Sequence, residues 1–520
     1  MTRCWLCLLV WGATAVAAQP GEPAYQRPGT PEVAGVRHLC LIYHGAPNRV
    51  EWTRDAIFPY VAHVDDKGVP TDWMFDSFLF IEFAGPRGVW FYHYVEGKPQ
   101  ATADDWAWLA DCWFREKTGL IGLERAVARA GEVLRQPDHI VNVVITLPVP
   151  LRPVKEFGPL HGQDRTLNFG REEDRRQALA WYIDRVLARW RGQKYRHLRL
   201  VGFYWTEESI PPTDYAIVRA TADLVHRAGY KLFWIPYFSA QGISEWRKLG
   251  IDGTMLQPNY FFPAKADPDR LAKAASKALA AGCGIEIEFD GRAFDSQERQ
   301  DRFWAYLDAG VKYGWMTNAL LGYYEGGNCI KRFVETPGDG RRMYDALYRF
   351  LKGTYEPSGR TKPAELTTTS AVGPPERSTA DNLALASKGA KITGCARPSN
   401  EPELAPEKVI DGVVSDYGGQ GGFGYFPIPG SLTIELPTLA TVSRTQLLLW
   451  DQDDRWFQYR IETSADGKAW TPAVDKSKGE WRSWQVDRFP ARDARFIRLT
   501  GLHNSINTNF QVVELEVYAR

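Results

Sequence analysis

Residues 202–209 read GFYWTEES, an apolar and aromatic strand that stops on two adjacent acids. Alternate residues of a strand share a face. Val201, Phe203 and Trp205 therefore form one bulky set, and Gly202, Tyr204, Thr206 and Glu208 the other. The bulky set suits contact with helices. The other set would face a barrel axis, with Glu208 pointing into the mouth and Glu207 away from it. A bulge would exchange the two acids. The same reading is clearer at 284–292, GIEIEFDGR, where Ile285, Ile287 and Phe289 make one face and Glu286, Glu288 and Asp290 the other. Three ionised acids facing an interior would be costly without partners. They mark either a charge network with Arg292 or an active site.

Working outward, six further strand-like segments occur at 38–45, 75–83, 139–148, 230–238, 253–261 and 317–326. Helical periodicity separates several of them, as in DYAIVRATADLVHRAG and SQERQDRFWAYLDAGVKYG. Eight strands alternating with helical or loop-plus-helix sequence fit a (β/α)8 TIM-like barrel over 36–355. A doubly wound open sheet is the alternative. The barrel is favoured because the strands number eight and none precedes a phosphate-binding glycine fingerprint. The insertion at 84–138 is expected to pack over the barrel mouth. Residues 356–380 lose periodicity and read as a Pro/Ser/Thr-rich linker. From 381 to 520 only strand-sized pieces recur between turn signals, predicting an all-β jelly-roll sandwich.

The chain has 520 residues, with Lys+Arg and Asp+Glu both 63. That balance leaves no basic footprint for nucleic acid. Residues 1–18 carry Arg3, a short apolar run and a small-x-small site near Ala17/Ala18, the pattern of a cleaved signal peptide. No run is long enough for a membrane span. The mature protein is expected to be secreted or periplasmic. Its five cysteines have no metal-like spacing and read mostly as small apolar core residues. The 20 Trp, 23 Tyr and 25 Phe imply large aromatic cores, or rings that stack on sugar.

Barrel enzymes place their chemistry at the C-terminal ends of the strands. Paired carboxylates there suit glycosidic cleavage, one protonated to assist the leaving oxygen and one ionised. One acid on strand four and one on strand seven matches many retaining barrel glycosidases. By that analogy Glu208 is the acid/base and Glu288 the nucleophile, about 5–5.5 Å apart; about 6.5–9.5 Å would favour inversion. Glu207 and Glu286 are further catalytic candidates. Asp290, Gln257, Asn259, Tyr237, Tyr43, His44, Tyr204, Tyr324 and Glu325 are expected to surround the opening as substrate contacts. No catalytic cofactor is implied.

The motifs GFYWTEES, IPYF, LQPNYFF and GIEIEFD resemble an exported bacterial family catalogued as a domain of unknown function. The resemblance implies a glycosidase-like barrel and leaves the substrate open. Residues 459–475 (YRIETSADGKAWTPAVD), ARFIRLTG and VVELEVY resemble a coagulation factor 5/8 type C, or discoidin, domain, whose jelly-roll is shared by family 32 carbohydrate-binding modules. That resemblance implies sugar contacts from loops, here Arg455 and Trp456, with Trp481 and His503 in similar segments. It also implies a structural calcium near a D-G turn, with Asp411 and Glu514 as side-chain candidates. The usual threonine-tryptophan after that turn is replaced by Ser415-Asp416-Tyr417. The whole reads as a secreted glycoside hydrolase with a carbohydrate-binding module, acting on a polysaccharide or glycoconjugate. A non-catalytic secreted glycan-binding protein is the alternative.

Overall fold

The computed structural model describes residues 24–92, 97–160, 162–264, 266–364, 377–395, 404–414, 423–451 and 455–519. The signal-peptide segment, the middle of the linker and Ser415-Asp416-Tyr417 lie outside the described residues.

Eight parallel strands close into a barrel. They are β1 (His38–Tyr43), β2 (Ser77–Ile81), β3 (Val141–Leu147), β4 (Leu198–Trp205), β5 (Lys231–Trp234), β6 (Gly253–Leu256), β7 (Gly284–Glu288) and β8 (Leu321–Tyr324). Each pairs with its neighbours in sequence, and β8 closes onto β1 through His38↔Leu321. Parallel strands buried on both faces need apolar side chains in both directions. Leu39, Leu41, Leu79, Ile81, Val144, Phe233 and Met255 pack inside the barrel. Cys40, Ile42, Phe78, Phe80, Ile285 and Ile287 pack outward against the helices.

Val201 does not face the helices as the alternation predicts; it joins the interior cluster. The β3–β4 register shifts there, with Val143 opposite Leu200 and Val144 opposite Gly202. Val201 is the extra residue of a bulge, so it and Gly202 both turn inward. Gly202 must be small, because a Cβ would sit 2.4 Å from the Lys231 carbonyl oxygen. Beyond it alternation resumes, with Phe203 and Trp205 outward and Tyr204 inward.

The outer layer contains α1 (Arg54–Val61), α2 (Ala103–Cys112), α3 (Leu120–Val133), α4 (Glu172–Gln193), α5 (Tyr215–Arg227), α6 (Arg270–Ala281), α7 (Gln297–Lys312), α8 (Trp315–Asn318), α9 (Cys329–Glu335) and α10 (Asp339–Leu351). The β5–β6 connection departs from strict alternation: it runs as turns through 241–250, and buries Ile243, Trp246 and Leu249 where a helix would pack. The insertion divides. Residues 84–92 fold back beside the mouth, with Phe91 N donating to the Phe83 carbonyl at 2.9 Å. Helices α2 and α3 instead join the outer layer against α4 and α1.

Both predicted domain boundaries move outward. Val33 and Val36 plug the bottom of the barrel, and Leu320 N donates to the Gln26 carbonyl at 2.8 Å. The barrel unit therefore starts before residue 36. At the other end, buried Asp308 on α7 accepts from Tyr355 Oη, Ser358 N, Ser358 Oγ and Thr361 Oγ1, each at 2.7 Å. Residues 355–361 are thus anchored to the barrel rather than forming the start of a linker. Their polar composition conceals this, because the anchor is a buried carboxylate elsewhere in the sequence.

The C-terminal sandwich is antiparallel. It comprises β9 (Lys391–Cys395), β10 (Gly424–Pro427), β11 (Gly430–Leu449), β12 (Phe457–Ser464), β13 (Thr471–Trp481), β14 (Trp484–Asn504) and β15 (Asn509–Ala519). The strand order is β10-β15-β11-β14-β12-β13, with β9 paired to β11. Alternation in β14 buries Ile497 and Leu499 beside Ile434, Ile461 and Val517. Cys40, Cys112, Cys283 and Cys329 are buried and form no disulfide. Among the described residues, no helix is long and apolar enough to cross a membrane.

Candidate active site

The C-terminal ends of the barrel strands surround a cavity of about 390 Å³. Strand parity explains its wall: Tyr43 ends β1, Tyr204 lies near the end of β4, Glu286 and Glu288 lie on β7, and Tyr324 ends β8. Glu208, Gln257 and Asn259 follow β4 and β6. All eight line the cavity, with Arg49, Phe83, Phe262 and Arg292 from the loops.

The acids are joined by one hydrogen-bond chain. Gln257 Nε2 donates to Glu208 Oε1 at 3.0 Å, and Asn259 Nδ2 donates to Gln257 Oε1 at 3.2 Å. Asn259 Nδ2 also lies 3.4 Å from Glu288 Oε1, and Asn259 N donates to Glu288 Oε2 at 2.7 Å. Tyr306 on α7 donates to the same Glu288 oxygen at 2.5 Å. Asn259 adopts φ +52°, a left-handed conformation that asparagine tolerates better than most residues. Its Oδ1 accepts from Phe238 N at 2.9 Å, which fixes the turn that aims its amide at Glu288.

The acids differ in surroundings. Burial pushes Glu288 up to about 7, against the lowering effect of the Tyr306 and Asn259 donors. Burial, then the charges of Glu288 and Glu208, holds Glu286 well above the usual carboxylate range. Glu286 is 2% exposed, and among the described residues its Oε1 has no hydrogen-bond partner. Burial also raises Glu208, while Gln257 opposes the rise. Three adjacent, largely desolvated carboxyl groups cannot all ionise cheaply near neutrality. Among the described residues no Lys or Arg forms an ion pair with any of the three: Arg49 is taken by Glu82 at 2.9 Å and Arg292 by Asp290 at 2.7 Å.

Several expected contacts point elsewhere. Glu207 lines a separate cleft of about 340 Å³ with Arg152, Asp214 and Gln241. It leaves the strand one residue before Glu208, and alternation sends it to the other side. Trp234 Nε1 pins its carbonyl at 2.7 Å. His44 follows Tyr43 and turns outward, with Nε2 3.1 Å from the Cys112 carbonyl oxygen. Glu325 follows Tyr324 and is likewise outside, accepting from Tyr60 Oη at 2.8 Å and from the amides of Gly327, Cys329 and Ile330 at the start of α9. Asp290 has inward parity, but the chain turns there into the short 3-10 helix Gly291–Phe294. Its carboxylate caps Arg292 N at 2.8 Å and does not line the cavity. Tyr237 is half-buried and does not line it either.

Sequence reasoning missed Tyr306, Arg49, Phe83 and Phe262, and named Arg292 only as a charge partner of the acids, whereas it pairs with Asp290 and lines the cavity. Tyr306 lies 18 residues beyond Glu288 on a helix. Its signal was a tyrosine within the apolar stripe of α7.

In the sandwich, Arg455 is 5% exposed. It lies over the Trp450 ring at 4.6 Å and donates to Gln511 at 2.6 Å, so it is a buried support rather than a surface contact. Trp456 is half-buried, its ring 4.4 Å from that of His503. Trp481 Nε1 donates to the Lys478 carbonyl at 2.8 Å, and Lys476 Nζ sits 4.2 Å from its ring centroid. Glu514 Oε2 accepts from Gly412 N at 3.1 Å, while Oε1 is buried and has no hydrogen-bond partner among the described residues. Burial, then Glu516 and Asp411, pushes Glu514 up to about 9. Asp411 Oδ1 accepts from Val413 N at 2.8 Å. Among the described residues no group of three or more His, Cys, Asp or Glu side chains is arranged to hold a metal ion.

Residues 38–349 match the model of a domain of unknown function, DUF4855. The chain belongs to this family. A second match places an F5/8 type C domain at 395–515, so a DUF4855 domain is followed by a discoidin-type domain. BTB/POZ domain-containing protein 9 of Drosophila melanogaster is 39% identical over 114 residues, covering 21% of this chain and 16% of that protein. The human protein of the same name is 37% identical over 112 residues, covering 21% and 18%. The matched stretch thus spans less than a fifth of those relatives. Among solved structures, a family 32 module from Clostridium perfringens in complex with GalNAc-β-1,3-galactose is 18% identical, with TM-score 0.23, covering 26% of this chain and 99% of its own. Chitosan-binding module 1 from the chitosanase/glucanase of Paenibacillus sp. IK-5 is 20% identical, with TM-score 0.22, covering 26% and 98%.

Proposed function

We propose that this DUF4855 protein is a glycoside hydrolase acting on a glycan, with a carbohydrate-binding C-terminal module. One observation carries the reading: Glu208, Glu286 and Glu288 share one open cavity without a cationic partner among the described residues. A structural charge network would pair them with Arg49 or Arg292, and both arginines are engaged elsewhere.

The chemistry follows from the surroundings. Glu288 takes the ionised role, as nucleophile, because amide and phenol donors are aimed at its oxygens. Glu208 takes the proton-carrying role. It is half-buried, desolvation raises it, and among the described residues its hydrogen-bond donor is neutral Gln257. In the first half-reaction Glu208 gives its proton to the leaving glycosidic oxygen while Glu288 bonds to the anomeric carbon. In the second, Glu208 takes a proton from water, which displaces Glu288. Glu286 lies deeper on β7 than Glu288, and burial favours its protonated form. Three carboxyl groups disfavour a uronic acid at the reacting position, so the cleaved unit is a neutral or amino sugar.

The discoidin-type match supports glycan binding by the sandwich, with Trp456 and His503 as the ring platform. The same region would hold a structural calcium through Asp411 and Glu514. The unpartnered buried oxygen of Glu514 fits a hard cation, which takes oxygen ligands.

Incubating the purified protein with a glycan panel tests the reading. New reducing ends support it. Binding without release supports a non-catalytic glycan-binding protein instead.

A further inference from the structure

The cavity opens onto a continuous series of aromatic rings. Phe262 meets Tyr324 at 5.3 Å between centroids, Tyr324 meets Tyr43 at 5.8 Å, and Tyr43 meets Phe83 at 5.5 Å. Phe83 then meets Tyr92 at 4.7 Å, and Tyr92 meets Trp90 at 5.9 Å. The first four rings line the cavity. The last two stand on the 84–92 turn beside the mouth, and the Ala84–Trp90 bridge holds that turn.

Core packing does not explain the outer part. Trp52, Trp106 and Trp205 are fully buried, whereas Trp90 is 39% exposed. Phe83 and Tyr92 are half-buried. Arg49 covers one face of Tyr43 at 4.8 Å, and Arg292 covers one face of Phe262 at 5.0 Å. Phe83 and Tyr92 are thus partly exposed and Trp90 more so, with Arg49 on the cavity wall beside Phe83. Large exposed rings in a line that continues a binding cavity mark a ligand path.

We propose that Phe83, Tyr92 and Trp90 form a stacking path for an extended glycan chain, making the substrate a polymer rather than a terminal sugar. This rests on the hydrolase reading for the polymer's being cleaved, but not for binding itself. Each sugar unit lays an apolar face on a ring while its hydroxyl groups stay wet. The ladder thus carries several units outward from the acids.

The test uses full-length protein run in native gels containing hydroxyethylcellulose, galactomannan, xylan or glycol chitosan. At least one polymer should retard the wild type. Trp90→Ala should weaken that binding about tenfold, equal to about 1.4 kcal/mol, and Trp90→Phe should restore most of it. Tyr92→Ala should weaken it further. Equal retardation of wild type and Trp90→Ala by every polymer overturns the path, as does no retardation of the wild type by any. Retardation that depends on Trp90 without new reducing ends keeps the path and removes the hydrolase. New reducing ends with no dependence on Trp90 does the reverse.

Discussion

Replacing Tyr306 by Phe isolates the feature that separates Glu288 from its two neighbours. The ring remains to fill its place on α7 against Tyr260, 5.9 Å away, so only the hydroxyl is lost. That hydroxyl donates to Glu288 Oε2, and after its removal the oxygen keeps the Asn259 amide at 2.7 Å. A hydrogen bond to a charged group contributes about 1.5–3 kcal/mol. The loss falls on the ionised form, so Glu288 should titrate higher than its present value of about 7. At about 1.4 kcal/mol per pH unit, the acid limb of kcat/KM should move up by about one to two units. Activity at pH 6 would then fall about ten- to hundredfold, while activity well above the shifted limb recovers. The assay is the pH profile of kcat/KM on whichever glycan the wild type cleaves, with thermal melts to establish that the variant folds. An unmoved acid limb in a folded Tyr306→Phe protein refutes the assignment of Glu288 as the ionised group.

Glu286→Gln should change how stability depends on pH. Glu286 is held well above its usual 4.5, so its stabilising effect is complete below about pH 4.5 and is lost as pH rises through the folded value, with a slope of about 1.4 kcal/mol per unit. The glutamine variant should lack that decline in urea unfolding. Asp308→Ala removes four acceptor contacts from a buried carboxylate; a loss of about 3 kcal/mol should appear as a lower melting temperature of the barrel transition. Chelation with EDTA should lower the melting temperature of the sandwich if calcium neutralises Glu514, and Glu514→Gln should abolish that sensitivity.

The fold was legible because each barrel strand is a short apolar run with a turn signal after it, and β7 writes its inward face in acids. Parity also decided the site. At three strand ends two adjacent residues were named as candidates: Tyr43 and His44, Glu207 and Glu208, Tyr324 and Glu325. Only one of each pair lines the cavity, as a pleated backbone requires. Strict alternation would have removed His44, Glu207 and Glu325 in advance. It would still have misplaced Val201, because a bulge leaves no mark in composition. Asp290 failed for another reason: the strand ends before it and the residue becomes a cap. Tyr306, which backs Glu288, and Arg49 and Phe262, which line the cavity, were hidden because helix and loop residues reach the site by tertiary packing, which strand periodicity does not encode.

Of the four carboxylates named as catalytic candidates, Glu208, Glu286 and Glu288 line the cavity and Glu207 does not, and the proposed roles rest on that division. Activity of Glu208→Gln, Glu288→Gln and Glu207→Gln, measured side by side on a glycan that yields reducing ends with the wild type, tests this directly. The first two should lose at least about a hundredfold in kcat, while Glu207→Gln stays within a few-fold of the wild type. Full hydrolysis by folded Glu288→Gln, or a loss confined to Glu207→Gln, would contradict the account.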